Sequence, residues 1–193
     1  AARHNFPLLG MDGVTYSSVK VEPGSIKEIL RDTRPSLIFL DPARRDSAGK
    51  KVFLLEDCSP DVLTLVPELS PMADIAMAVD RLNRAAEKCS HLPAAAGHCV
   101  REVHIVASGG ECKELLIWMD SEYDGRHGTV CHEDGVQMRF EPSQGRNEEP
   151  MVPDSTYFRL LFDPGKSLSK AGMFNEIAVC LGLVRLARFT NLY

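Results

Sequence analysis

Four consecutive apolar residues, Leu37-Ile38-Phe39-Leu40, run directly into Asp41-Pro42. A short apolar run that ends in a turn signal reads as a buried strand of a parallel sheet. Pro42 stops the strand and biases Asp41 toward extended backbone. The chain is therefore expected to hold a parallel strand with a carboxylate at its carboxyl edge, where open α/β sheets bind ligands. Ala43, Arg44 and Arg45 follow, and set two cations beside that carboxylate.

The remaining pattern alternates strand and helix signals, which implies βαβ units and a mostly parallel sheet. Residues 14–21 are β-rich and read as a strand. Pro23-Gly24-Ser25 reads as a turn, with Ser25 opening a short helix over 26–31. Ser59 or Pro60 opens a second helix through about residue 65. Ile75, Val79, Leu82 and Ala86 have nearly helical spacing, so 75–89 is expected to be helical. Residues 103–107 and 115–119 read as strands around a Ser108-Gly109-Gly110 turn, and 120–135 reads as a polar segment rich in glycine. The prolines and polar residues of 141–154 mark a linker, and 170–183 reads as one helix with Gly182 near its end.

Composition narrows the classes. The 193 residues are 44% hydrophobic, enough for one core or two small domains. The net charge of -5 gives no global basic character, so RNA binding would need a local basic patch. No apolar run approaches the ~20 residues of a membrane span, and no signal peptide opens the chain. The six cysteines, Cys58, Cys89, Cys99, Cys112, Cys131 and Cys180, include no Cys-x-x-Cys pair. That spacing argues against a zinc ribbon and favours reduced thiols in a cytoplasmic protein. No metal and no membrane partner are expected. Ala1-Ala2-Arg3-His4-Asn5-Phe6 reads as the middle of a helix without a cap, so the chain is expected to be truncated at its amino end.

Several residues could carry chemistry, each with a plainer alternative. Asp41 could hold a substrate amino group or take its proton, or it could simply cap a turn, since Asp-Pro is common in turns. Arg44 and Arg45 could bind phosphate through forked hydrogen bonds, or pair with Asp46, Glu56 or Asp57. Glu22 could contact the ribose or adenine edge of a nucleotide, or be a solvated turn carboxylate. Glu56-Asp57-Cys58 and Glu111-Cys112-Lys113-Glu114 mix carboxylates with thiols, but neighbours on a strand point to opposite faces. Cys112 as a nucleophile would need a nearby base, of which His104 is the nearest in sequence. His127, Cys131 and His132 have metal-like spacing but lack a second ligand pair, and read as a loop. Lys166, Lys170, Arg185 and Arg188 lie among Phe174, Phe189 and Tyr193, a mixture that could track phosphates and stack bases.

Asp41-Pro42-Ala43-Arg44 resembles the fourth motif of class I S-adenosylmethionine-dependent methyltransferases, in the form used by RNA methyltransferases. The longer run Leu40-Asp41-Pro42-Ala43-Arg44-Arg45-Asp46, with Leu54-Leu55-Glu56-Asp57-Cys58-Ser59-Pro60-Asp61, looks like a narrower bacterial group that joins a methyltransferase-like domain to a THUMP-like closing domain. Leu69-Ser70-Pro71-Met72-Ala73-Asp74-Ile75, Glu102-Val103-His104-Ile105-Val106 and Gly110-Glu111-Cys112-Lys113-Glu114-Leu115-Leu116 extend the likeness. Phe162-Asp163-Pro164-Gly165-Lys166-Ser167 resembles the start of the THUMP-like segment. The resemblance implies an α/β fold: a partial Rossmann-like methyltransferase sheet over 1–140, then a small α+β THUMP-like domain over 141–193. It implies a methyltransferase acting on RNA (tRNA or rRNA), with a non-catalytic RNA-binding or scaffolding protein as the alternative.

On the same footing, Asp41, Pro42, Ala43 and Arg44 would be catalytic, and Glu22 and Asp41 would face S-adenosylmethionine. Arg44, Arg45, Lys166 and Lys170 would hold substrate. The group's Gly-rich cofactor loop, upstream of a segment like Arg3-His4-Asn5, has no counterpart in this sequence. Its strand before Ser70-Pro71-Met72 is also in doubt, because 63–69 is too short for both a helix and a strand.

Overall fold

The computed structural model describes residues 6–10, 13–15, 17–43, 45, 49, 50, 52, 55–79, 99–120, 122–141, 160–187 and 190–193. Its centre is a six-stranded mixed sheet. The strands are β1 (Leu37–Leu40), β2 (Asp74–Val79), β3 (Cys99–Ser108), β4 (Glu111–Asp120), β5 (Gly128–Glu133) and β6 (Val136–Phe140). They lie in the order β1-β2-β4-β3-β5-β6. The helices are α1 (Ile26–Ile29), α2 (Val62–Leu69), α3 (Gly165–Ala171) and α4 (Phe174–Leu181). No helix among the described residues is long and apolar enough to cross a membrane.

The sheet is mixed rather than mostly parallel. β1 with β2 and β3 with β5 pair in parallel; β2 with β4, β3 with β4 and β5 with β6 are antiparallel. Two tight hairpins impose this, because a two-residue loop can join only antiparallel strands. Gly109 and Gly110 have φ of 59° and 76°, and Asp134 and Gly135 have φ of 46° and 86°. Positive φ at both central residues belongs to the turn whose twist matches that of paired strands. The Gly109 N–H donates to Asp134 Oδ1 at 2.9 Å and joins the two turns.

β2 corrects one expectation. Residues 74–79 form a strand and not the start of a helix. α2 fills 62–69, so no second element is squeezed into that stretch. Ile75, Ala76, Met77, Ala78 and Val79 are all buried. A run apolar on both faces fits a helical template as readily as a central strand, and here the neighbours β1 and β4 decide the outcome. Residues 80–98 lie outside the described residues.

One face of the sheet carries the core. Leu65, Val66 and Leu69 of α2, Leu168 of α3 and Ile177 of α4 pack with Ile75, Met77, Val103, Ile105, Leu115 and Ile117 in one cluster. Tyr193, 5% exposed, joins it. The described residues past 160 therefore share the sheet's core, with α3 lying on β3, β4 and β5. The expected linker falls almost wholly within 142–159, outside the described residues.

Three further expectations change. Residues 170–183 hold parts of two helices, because Gly172 ends α3 in the left-handed conformation, φ 69°. Described residues of 14–21 form no strand, and Val14 and Val19 are exposed. β propensity without a partner strand does not make a sheet. The segment 120–135, read as a polar stretch, contains β5 and leads into β6 through the Asp134-Gly135 turn.

Candidate functional site

β1 ends at Leu40, in register with Met77 of β2, and its parallel neighbour runs two residues further, to Val79. Asp41 stands there, exposed, while the next residue, Pro42, is buried. Ala43 exchanges two backbone hydrogen bonds with Ser59, each 3.0 Å, which close the excursion between them. At the base of that excursion Leu55 is buried in a short 3-10 turn, Leu55–Asp57. α2 starts from Asp61 rather than Ser59 or Pro60. The Asp61 carboxylate accepts from the Leu63 N–H at 3.0 Å and from Thr64 Oγ1 at 2.7 Å. A carboxylate is the better cap because it satisfies an orphan amide and meets the positive end of the helix.

Asp41 makes no hydrogen bond or ion pair among the described residues. Its chain position is pinned on both sides, by β1 and by the Ala43–Ser59 bridge. A carboxylate on a pinned backbone, open to water and unpaired among the described residues, is available to accept an N–H or bind a cation. Arg45 follows at the surface, and its Nη1 donates to the Gly49 carbonyl at 2.9 Å. Arg44 lies outside the described residues.

The other candidates are spread over the molecule. Glu22 is exposed and paired with Lys20 in the turn before α1. The neighbouring Gly24 N–H donates to both carboxylate oxygens of Glu68 at 2.9 Å, which docks this turn on α2. Lys166 and Lys170 are exposed on α3, which packs on β3, β4 and β5. That puts them two to four strand spacings from β1, roughly 10–19 Å at about 4.8 Å per strand. Among the described residues nothing gathers them with Asp41. The aromatic residues near the carboxyl end are already engaged. Arg185 stacks on Phe174 at 3.9 Å, and the buried Tyr193 donates its hydroxyl to the Phe174 carbonyl at 2.9 Å. Arg188 and Phe189 lie outside the described residues.

Cys112 and Cys131 are poor nucleophiles. Burial pushes the Cys112 thiol up, more than nearby Lys170 lowers it. Cys112 pairs with Ala107 on the core face, whereas His104, three residues earlier on β3, points to the other face. Cys131, packed against α3 with its Sγ 3.8 Å from the Ser167 carbonyl, is pushed by burial to about 12. Cys131 and His132 occupy opposite faces of β5, so His127, Cys131 and His132 do not converge on one ion.

One constellation was not visible in the sequence. His104 of β3 and His132 of β5 meet across the parallel pair, Nδ1 to Nε2 at 3.1 Å, with rings stacked at 5.4 Å. Glu102 Oε2 lies 3.0 Å from His104 Nε2, and Arg139 Nη1 donates to Glu102 Oε1 at 2.7 Å. The Arg139 hydrogen bond outweighs burial and, with His104, holds the Glu102 carboxyl below its usual range. Burial and the neighbouring His104 lower His132. The Asp134-Gly135 hairpin signal could have revealed β5, though not its register with β3.

The sequence matches no protein-family model and no curated protein. The fold is similar to the crystal structure of a "putative methyltransferase" from Porphyromonas gingivalis W83, with a TM-score of 0.75 and 27% sequence identity. The match covers 100% of this chain and 47% of that one, so the chain spans about half the length of its structural neighbour. The chain thus has an α/β fold shared, over its whole length, with that methyltransferase.

Proposed function

We propose that the protein is an S-adenosylmethionine-dependent methyltransferase acting on RNA, of the tRNA or rRNA class, in the cytoplasm. The observation that carries this reading is Asp41. It is an exposed carboxylate at the carboxyl end of β1, without a partner among the described residues, in a fold shared with a putative methyltransferase. That acceptor fits an amino group, from either the cofactor's amino-acid end or a substrate base. When bound, S-adenosylmethionine supplies an activated methyl group on sulfur.

The chain's own part is alignment and exclusion of water. Asp41 accepts the N–H of the incoming amine and takes its proton as the nitrogen attacks. Buried Pro42 keeps the turn rigid, and Ala43, tied to Ser59, leaves room for a flat base. Arg44 and Arg45 meet the phosphates that flank that base. Residues 141–193 act as the THUMP-like part that presents RNA, with Lys166 and Lys170 toward its backbone. Glu22 is assigned to the cofactor's ribose or adenine edge.

Two measurements on the full-length protein test this: calorimetric titration of S-adenosylhomocysteine, and transfer of labelled methyl groups from S-adenosylmethionine to tRNA and rRNA. Binding and transfer are expected, with Asp41→Ala lowering transfer at least about 100-fold. Failure of the wild-type protein to bind S-adenosylhomocysteine would sink the enzyme reading and leave the non-catalytic RNA-binding alternative.

A further inference from the structure

We infer that His104 and His132 form a two-imidazole binding site for a transition-metal dication, Cu2+ or Zn2+, on the face of the sheet opposite the helices. His104 is in register with Val130, and Val106 with His132, so both imidazoles rise from the same face, one pleat apart. Their facing nitrogens are 3.1 Å apart. Two bonds of about 2.05 Å to a common ion across that gap subtend an angle of about 100°, between square-planar and tetrahedral values. The pair is partly exposed, with 23% of the His104 side chain open to water, so an ion can enter and keep water ligands.

The surrounding groups prepare His104 as a ligand. Glu102, ionised and anchored by Arg139, accepts the Nε2–H of His104. That fixes the tautomer, so Nδ1 presents its lone pair toward His132. A carboxylate behind a histidine is the usual outer-sphere support of a metal ligand. Without an ion, His132 Nε2–H fills the gap as donor to that lone pair. With an ion bound, His132 carries its proton on Nδ1 instead, and no net proton is lost. Among the described residues no group of three or more metal-ligating side chains gathers, so the remaining positions are filled by solvent. Such a site favours Cu2+ over Zn2+.

The test is Cu2+ titration of the whole chain, followed by calorimetry and by electron paramagnetic resonance. One equivalent should bind with two equatorial histidine nitrogens in the spectrum. His104→Gln and His132→Gln should each weaken binding at least about tenfold, and Glu102→Gln by about 10–100-fold with both nitrogens retained. Circular dichroism of each variant separates loss of ligand from loss of fold; for a variant that fails to fold, Zn2+ protection of the wild-type histidines from diethyl pyrocarbonate replaces it. Equal affinity in folded wild type and glutamine variants, a spectrum with fewer than two histidine nitrogens, or no protection by Zn2+ would overturn the site.

Discussion

The carboxylate of Glu133, at the end of β5, accepts the backbone N–H of Ser167 at 2.7 Å. It occupies the first turn of α3 and ties the edge of the sheet to the helix. Burial raises the Glu133 carboxyl, but the hydrogen bonds from the Lys166–Ser167 turn outweigh it and hold it below the usual carboxylate range. A depressed carboxyl contributes stability that is complete above its unfolded pKa and is lost as pH falls through the folded one. Glu133→Gln should cost about 1 kcal/mol near neutral pH, and the gap from wild type should close as pH drops from about 5 to about 3. Urea unfolding across that range reads the effect; a gap constant with pH would contradict it.

Gly165 sits against the same carboxylate. Its φ is +84°, and a Cβ there would stand 2.9 Å from Glu133 Cδ. Backbone and space therefore both oppose a side chain. Gly165→Ala should destabilise by about 1–3 kcal/mol. In the Glu133→Ala background the steric part should vanish while the backbone part persists, so a double-mutant cycle should show coupling.

Burial separates the central strand β2 from the edge strand β1, which the sequence read as buried. Met77, 0% exposed, lies on β2 among Ile75, Ile117 and α2, whereas Phe39 on β1 is 61% exposed. Met77→Ala should cost about 2–5 kcal/mol and Phe39→Ala no more than about 0.5 in the isolated chain. Thermal or urea unfolding measures both. A comparable loss for Phe39 would mean that its face is covered in solution.

What the sequence disclosed followed from local pattern. β1, the β3–β4 hairpin and its Gly109-Gly110 turn were legible because apolar runs end at turn residues. Asp41 was legible for the same reason, since its place needs only the strand that precedes it. β2 was hidden by burial on both faces, which erases the period that tells strand from helix. β5 and β6 were hidden by their polar residues, His132, Glu133, Gln137 and Arg139, although Asp134-Gly135 marked their turn. The His104–His132 contact was out of reach. It joins residues 28 apart in sequence through the register of a parallel pairing, and no local rule specifies that register.

The thiols give a chemical check on the layers. Cys131, buried under α3 with its pKa near 12, should resist iodoacetamide in the native protein and react only on unfolding. Cys112 is exposed, yet its thiol is also raised, so it should alkylate more slowly at neutral pH than a free cysteine. Mass spectrometry of peptides after timed alkylation distinguishes them. Fast modification of Cys112 would revive the thiol-dependent reading of this segment.

Lys166 and Lys170 lie four residues apart on α3, so their side chains share one helix face. Both are exposed, and on the proposed RNA reading both meet phosphates. Phosphate contacts raise affinity without regard to sequence, because each releases condensed counterions. Lys166→Gln with Lys170→Gln should therefore weaken tRNA and rRNA alike. The slope of log affinity against log salt should fall by about 1.4–1.8 for two lost contacts. Asp41→Ala should leave that slope unchanged, since the strand-end carboxylate contributes no counterion release. Filter binding over a range of salt concentrations separates the two effects. An unaltered slope in the double lysine variant would remove α3 from the RNA-binding surface, without touching the role assigned to Asp41.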